Sequence, residues 1–224
     1  MATIREISAK LKTKGALSFR LADEEAKLAA QVAEIAAQRA AKEKKLAAAE
    51  APRWKEARTR AHQAIGAYQF GDVVATLQDL RLSATSLQAE RDDVLQRAQW
   101  LADWKTQLIA DINGTGFGGA VTDIHGVRYD GPVRRASATE MELKMRYGRV
   151  MSKWLNLSPK MLLTISTAFI RPGVSDIPER QWLSAIFALQ TGQTDAANDL
   201  AAKAADAKPE FRDLRRQFFP DAKK

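Results

Sequence analysis

Hydrophobic and polar residues follow three different rhythms along this chain. Up to Ile112 the apolar residues recur at helical spacing, and residues 22–112 contain only two glycines and one proline. Seven of the twelve glycines then fall in residues 114–148, and helical spacing returns from residue 159. Because glycine and proline interrupt helices, this distribution predicts an α+β, mainly α chain in three parts. These are an N-terminal helical hairpin or coiled coil (1–112), a small antiparallel β module (113–158) and C-terminal helices (159–224).

The first part begins with an alanine-rich amphipathic pattern. Residues 22–51 include thirteen alanines, and the larger apolar residues Leu28, Val32, Ile35 and Leu46 fall near the a and d positions of a heptad. Charged residues interrupt that seam, which favours marginal helix pairing. The pattern fits a coiled coil that binds a partner or self-associates, and equally an internal bundle.

Proline and glycine predict where the first part turns. Pro52 suits the start of a second helix, because a first-turn residue has no intrahelical partner for its missing N–H. Phe70, Gly71 and Asp72 indicate a tight turn or a kink, after which helical periodicity continues to Ile112. The expected result is an antiparallel helical hairpin or small bundle.

The centre changes to period 2, the spacing of a half-buried strand. Met141, Leu143, Met145 and Tyr147 alternate with charged residues, and Gly148 allows the chain to reverse. Two earlier turns, at residues 125–126 and 130–131, separate short runs at 121–124, 127–129 and 133–136. We expect four or five short strands that form a barrel-like sheet or lie on helices.

Two stretches resemble known small folds. The succession of turns and the closing segment YGRVMSKWLNLSP, over about residues 119–158, resemble a small SH3-like barrel of the kind found in adaptor proteins. That resemblance implies a binding module. Residues 181–209 resemble a tetratricopeptide-type helical hairpin, with small residues at its close-packing positions and a proline at its end: Ala185, Ala197, Ala204 and Pro209.

The sequence contains little that specifies a reaction. Residues 114–121 match a glycine-rich nucleotide loop, but a predicted helix precedes them where such a loop needs a strand. His125 lies near Asp123, Asp130 and Ser137, a set that suggests a hydrolase only if the fold assembles it. The chain has no cysteine, and its one other histidine, His62, lies on a predicted helix. We therefore predict no enzyme, no metal and no cofactor.

Charge points to one candidate contact surface. The formal net charge is +8, and the positive residues are dispersed along the chain. Those in the β module could contact a partner or phosphate groups: Arg128, Arg134, Arg135, Lys144, Arg146, Arg149 and Lys153. Nearby acidic residues interrupt this field, so an ordinary solvated sheet face is the competing interpretation.

Together these features predict a non-enzymatic protein–protein interaction or scaffold module, expected to belong to a larger bacterial assembly or signalling protein. Its partners would be proteins, including a second copy bound through the N-terminal helices. The alternative is a nucleic-acid-binding accessory protein that uses the basic β face. The absence of cysteine, and of any apolar run long enough for a signal peptide or membrane span, predicts a cytoplasmic location.

Overall fold

A computed structural model describes residues 2–145 and 148–219, with side chains from Asp23 onward. The helices are α1 (Ala2–Gly66), α2 (Phe70–Asp79), α3 (Thr85–Gly114), α4 (Pro159–Thr167), α5 (Ile177–Gln190), α6 (Thr194–Ala207) and α7 (Glu210–Phe218). The strands are β1 (Val121–Thr122), β2 (Arg128–Tyr129), β3 (Arg135–Ala136), β4 (Glu140–Met145) and β5 (Gly148–Lys153). The predicted α+β, mainly α class is confirmed.

The contacts divide the chain into two compact units. One comprises residues 1–53 and 82–88, and the other comprises residues 54–81 and 89–224. The predicted boundaries near residues 112 and 158 stay predictions.

Helix α1 runs through Pro52, so the predicted helix start at that residue is wrong. A proline inside a helix removes one backbone hydrogen bond and costs about 3 kcal/mol or more. The helix is held on both sides of it. On the N-terminal side Glu50 bonds to the segment that leads into α3, and on the C-terminal side Trp54 is buried and donates from Nε1 to Glu90 at 2.8 Å. These contacts are long-range, which is why a local reading of proline missed them.

In the first unit, glutamates of α1 satisfy the free backbone donors at the start of α3. The Glu50 carboxylate accepts from the backbone N–H groups of Ser83 and Ala84 at 2.9 and 3.0 Å. Glu43 accepts from the N–H of Ser86 at 2.9 Å. The first N–H groups of any helix lack intrahelical partners, and a carboxylate there is a strong acceptor. The helical periodicity predicted through residues 74–112 is therefore interrupted between α2 and α3. The carboxylates stabilise the point at which α3 begins.

The core of the second unit is rich in aromatic residues. Trp104 of α3 stacks on Phe187 of α5 with ring centroids 3.7 Å apart, and Trp182 stacks on Phe211 at 5.2 Å. The paired helices α5 and α6 meet through alanines that are fully buried: Ala185, Ala197, Ala201 and Ala204. Small side chains let helix backbones approach closely. The α5–α6 pair belongs to the same hydrophobic core as the larger aromatic residues.

The strands form two antiparallel sheets, one with the order β1-β2 and one with the order β3-β4-β5. They do not close into a barrel, and that part of the expectation is corrected. Met141 and Leu143 are buried as the alternation predicted, whereas Met145 is exposed. The apolar face packs on helix α3 and its neighbours, so a sheet this small needs no closure to bury one side. Tyr147, predicted in the same alternation, lies outside the described residues.

Candidate functional site

A groove of about 660 Å³ opens at the end of the β4–β5 hairpin. We call it the hairpin groove. Its described lining combines apolar and charged side chains: Arg128, Asp130, Gly131, Pro132, Lys144, Met145, Gly148, Arg149 and Val150. The turn after β2 forms one wall, and the hairpin forms the other.

Gly131 holds these two walls together. Its backbone N–H donates to the carbonyl of Lys144 at 3.2 Å. A Cβ atom at this position would lie only 2.6 Å from both the Lys144 carbonyl oxygen and its Cβ, so only glycine permits the approach. The contact brings Arg128 and Asp130, on the β2 turn, next to strand β4.

Strand register decides which predicted basic residues meet. Lys144 of β4 lies directly opposite Arg149 of β5, so their side chains share one face of the sheet. Both line the hairpin groove together with Arg128. Arg134 and Arg135 line a separate groove of about 490 Å³ that includes Ser137 and Met151.

The remaining two predicted residues fall elsewhere. Lys153 lies opposite Glu140 at the far end of the hairpin. Arg146 lies outside the described residues. The seven predicted cations therefore do not assemble into one described patch.

Acidic neighbours already neutralise part of this surface. Arg149 Nη1 lies 3.1 Å from a Glu142 carboxylate oxygen, and Arg128 Nε lies 2.6 Å from a carboxylate oxygen of Asp130. The hydrogen bond to Asp130 also raises the pKa of Arg128. The electrostatic field of this surface is therefore mixed rather than uniformly positive.

The sequence indicated the apolar stripe on α1 as a candidate contact surface, but it did not indicate the exposed apolar side chains of the β module. Among the described residues, the large exposed hydrophobic side chains occur in only two regions. Three lie on α1 and six lie in or beside the β module: Leu28, Val32, Ile35, Ile124, Val127, Met145, Val150, Met151 and Leu155. One signal was available, because Val150 and Met151 are consecutive strand residues and must point to opposite faces.

Strand β5 also has an open backbone edge. Among the described residues it pairs with β4 alone. The carbonyls of Glu140 and Lys144 accept bonds from Ser137 and Gly131, on the side of β4 away from β5. Antiparallel ladders alternate, so the residues of β5 that lie opposite that set direct their own N–H and C=O groups to the free edge: Arg149, Met151 and Lys153.

Asp123 and Ser137, two of the residues that suggested a hydrolase, make hydrogen bonds within turns. The Asp123 carboxylate accepts from the backbone N–H groups of Val127 and His125 at 2.8 and 2.9 Å, and from the Tyr129 hydroxyl at 3.2 Å. Burial raises the pKa of Asp123, but these hydrogen bonds outweigh it and hold the pKa below its usual value. Ser137 bonds within its own turn, to the Glu140 carbonyl at 3.2 Å.

The glycine-rich segment caps the wrong end of a helix for phosphate binding. It follows the C-terminus of α3, where Gly116 adopts a φ of +73° and its N–H bonds to the Ile112 carbonyl at 3.0 Å. Phe117 then pairs with Val133. A helix C-terminus presents carbonyl groups and negative potential, whereas phosphate binds at helix N-termini.

No family model, curated protein or solved structure matches the chain. The SH3-like and tetratricopeptide-type resemblances stay predictions. Within residues 2–145 and 148–219, no helix is both long and apolar enough to span a lipid bilayer.

Proposed function

We propose that this chain is a non-enzymatic protein-interaction or scaffold module. The observation that supports the proposal is that the large exposed apolar side chains among the described residues are confined to α1 and the β module, while the described aromatic residues of the second unit are buried or partly buried. Clustered apolar side chains on a protein surface mark contact sites, whereas scattered ones do not.

At the β module, the contact would be addition of a strand to the open edge of β5. An extended segment beside β5 gains backbone hydrogen bonds from Arg149, Met151 and Lys153, and it reads side chains on both faces of the sheet. On one face it meets the Arg149 and Lys153 cations, and on the other it meets Val150. The fitting partner is an extended segment with acidic residues at alternate positions and apolar residues between them.

The nucleic-acid alternative receives less support from the geometry. Five of its seven predicted cations are divided between two grooves, and Glu142 and Asp130 pair with two of these five. Phosphate binding releases counterions, so affinity for an oligonucleotide would fall steeply as salt rises. That dependence gives a direct way to separate the two functions.

Selection of random peptides displayed on phage, with the purified full chain as bait, tests the proposal. Binding of the enriched peptides should weaken about 10- to 100-fold in Val150→Ser, the loss expected when a partly buried valine contact is removed. Val127→Ser is the matched control, because it is the same substitution at an exposed valine of the β module that lies outside β5. Peptide binding should be unchanged in that control.

Two results would contradict the proposal. One is a set of enriched peptides that binds the Val150→Ser variant as tightly as the parent chain. The other is tight, steeply salt-dependent binding of a single-stranded oligonucleotide with no peptide enriched, which would favour the nucleic-acid function.

A further inference from the structure

Helix α1 carries an apolar stripe on a surface with no described neighbour. The stripe consists of Leu28, Val32 and Ile35, whose side chains are 59%, 64% and 49% exposed. Every residue from 23 to 42 is exposed. Among the described side chains of α1, the first hydrogen bond to another element is made by Glu43, the residue that caps α3.

The stripe lies within a seam that also contains charges. With Val32 at position a of a heptad, the a positions of this stretch are Glu25, Val32 and Arg39, and the d positions are Leu28, Ile35 and Lys42. Coiled-coil helices bury their a and d residues against a partner. The seam charges therefore restrict which partner helix can fit.

A parallel pairing of two copies in register is disfavoured. It would place Glu25 against the partner's Glu25, Arg39 against the partner's Arg39 and Lys42 against the partner's Lys42. Like charges opposed in a helix pair destabilise it.

An antiparallel pairing centred between residues 33 and 34 converts every conflict into a complementary contact. Glu25 then lies opposite the partner's Lys42, and Val32 lies opposite the partner's Ile35. Leu28 lies opposite the partner's Arg39, whose aliphatic stem can cover it while the guanidinium reaches water. By symmetry each contact forms twice, and the charges close both ends of the apolar centre.

The flanking positions permit the helices to come close. The e positions beside the central layers are Ala29 and Ala36. In antiparallel order these two alanines face each other across the interface, so no bulky side chain separates the backbones. The free seam ends at Lys42, the last position before the described bonds from α1 to α3 begin.

We propose that residues 25–42 of α1 pair antiparallel with the same segment of a second copy of this chain. The inference rests on the proposed interaction function and names the partner of the α1 stripe. It is independent of the β5 edge, whose own test is the peptide selection.

Sedimentation equilibrium of the full chain and three variants tests the pairing. The parent chain should show reversible, concentration-dependent mass above the 24.8 kDa of the monomer. Glu25→Lys and Lys42→Glu should each raise the dissociation constant about tenfold or more, because each creates two like-charge contacts. The double variant Glu25→Lys/Lys42→Glu should restore the parent affinity. These exposed positions leave folding unchanged, which circular dichroism verifies.

Rescue by the double variant is specific to antiparallel order. In a parallel pair the exchange would oppose lysine with lysine and glutamate with glutamate, so no rescue would occur. A strictly monomeric parent chain, or a double variant no tighter than the single ones, would overturn the inference. Neither result bears on the peptide selection at β5.

Spin labels supply an independent measurement of orientation, because the chain has no native cysteine. Ala30→Cys and Lys44→Cys place labels on the outer face of α1. At 1.5 Å rise per residue, antiparallel pairing separates the two copies axially by about 10 Å at position 30 and about 32 Å at position 44. Equal distances at the two positions would indicate parallel order and refute the proposal.

Discussion

The ammonium of Lys105 connects three parts of the second unit. Its Nζ donates to the Tyr68 carbonyl at 2.7 Å and to the Ala138 carbonyl at 2.5 Å, and it lies 5.0 Å from the ring centroid of Trp154. Tyr68 has a φ of +58°, an uncommon conformation for a residue other than glycine. Lys105 thus ties α3 to the α1–α2 turn and to the β module.

We predict that Lys105→Met destabilises the second unit by about 2–4 kcal/mol, because two carbonyls each lose a charged donor. Methionine keeps the unbranched shape, so the change mainly removes polar contacts. The variant no longer has to bury a charged ammonium group, which offsets part of the loss in stability. The stated range includes this offset.

Urea denaturation followed by far-ultraviolet circular dichroism measures the effect. At an m value of roughly 2–3 kcal/mol/M, the midpoint should fall by about 1 M. Lys203→Met is the matched control, because Lys203 makes an exposed pair with Asp199 at 2.7 Å. Such a pair contributes about 0.5 kcal/mol or less.

Burial lowers the pKa of Lys105, opposed by the charge of Asp72, and this adds a pH dependence. In the window between the lowered pKa and the usual lysine value, the unfolded chain binds more protons than the folded chain. Stability therefore rises with pH through that window, and the gap between parent and Lys105→Met widens. Equal stability of the two proteins across pH would refute the role given to Lys105.

Two other contacts give separate predictions. Gly131→Ala should push the β2 turn away from Lys144 and cost about 1–3 kcal/mol, with loss of peptide binding at β5, as measured by urea denaturation and titration. An unfolding midpoint in urea equal to that of the parent chain would contradict the close approach of Gly131 to Lys144. Hydrogen bonds from the backbone of Ala84 and Ser83 lower the pKa of Glu50, so its capping should persist above the usual glutamate pKa and disappear as pH falls through the lowered value. The protection factor of the Ala84 amide, which is its exchange rate corrected for the intrinsic slowing of exchange at low pH, should fall over that range in the parent chain and should stay unchanged in Glu50→Gln.

The local elements of the β module were largely predictable from sequence. Glycine turns and period-2 alternation located β1 to β5, because both signals act within a few residues. Sheet closure was not predictable, since it depends on what α3 offers to the buried face. Pro52 shows the same limit, because the contacts of Trp54 and Glu50 that hold α1 together come from residues far along the chain.

The candidate site divides in the same way. Sequence placed Lys144 and Arg149 in one group of basic residues, and the strand register shows that they lie opposite each other on one face of the sheet. It did not separate Arg134 from that group, because the separation depends on how the turn at Gly131 folds. Sequence also did not indicate that Val150 is exposed, because its exposure depends on how far it lies from the buried part of the sheet.

The central claim is that a partner segment adds to the open edge of β5. Amide hydrogen exchange of the full chain, with and without a selected peptide, tests it residue by residue. The account predicts slower exchange at Arg149, Met151 and Lys153, with little change at Val150 and Ser152, whose amides face β4. A bound peptide that leaves the first three amides unprotected would contradict it.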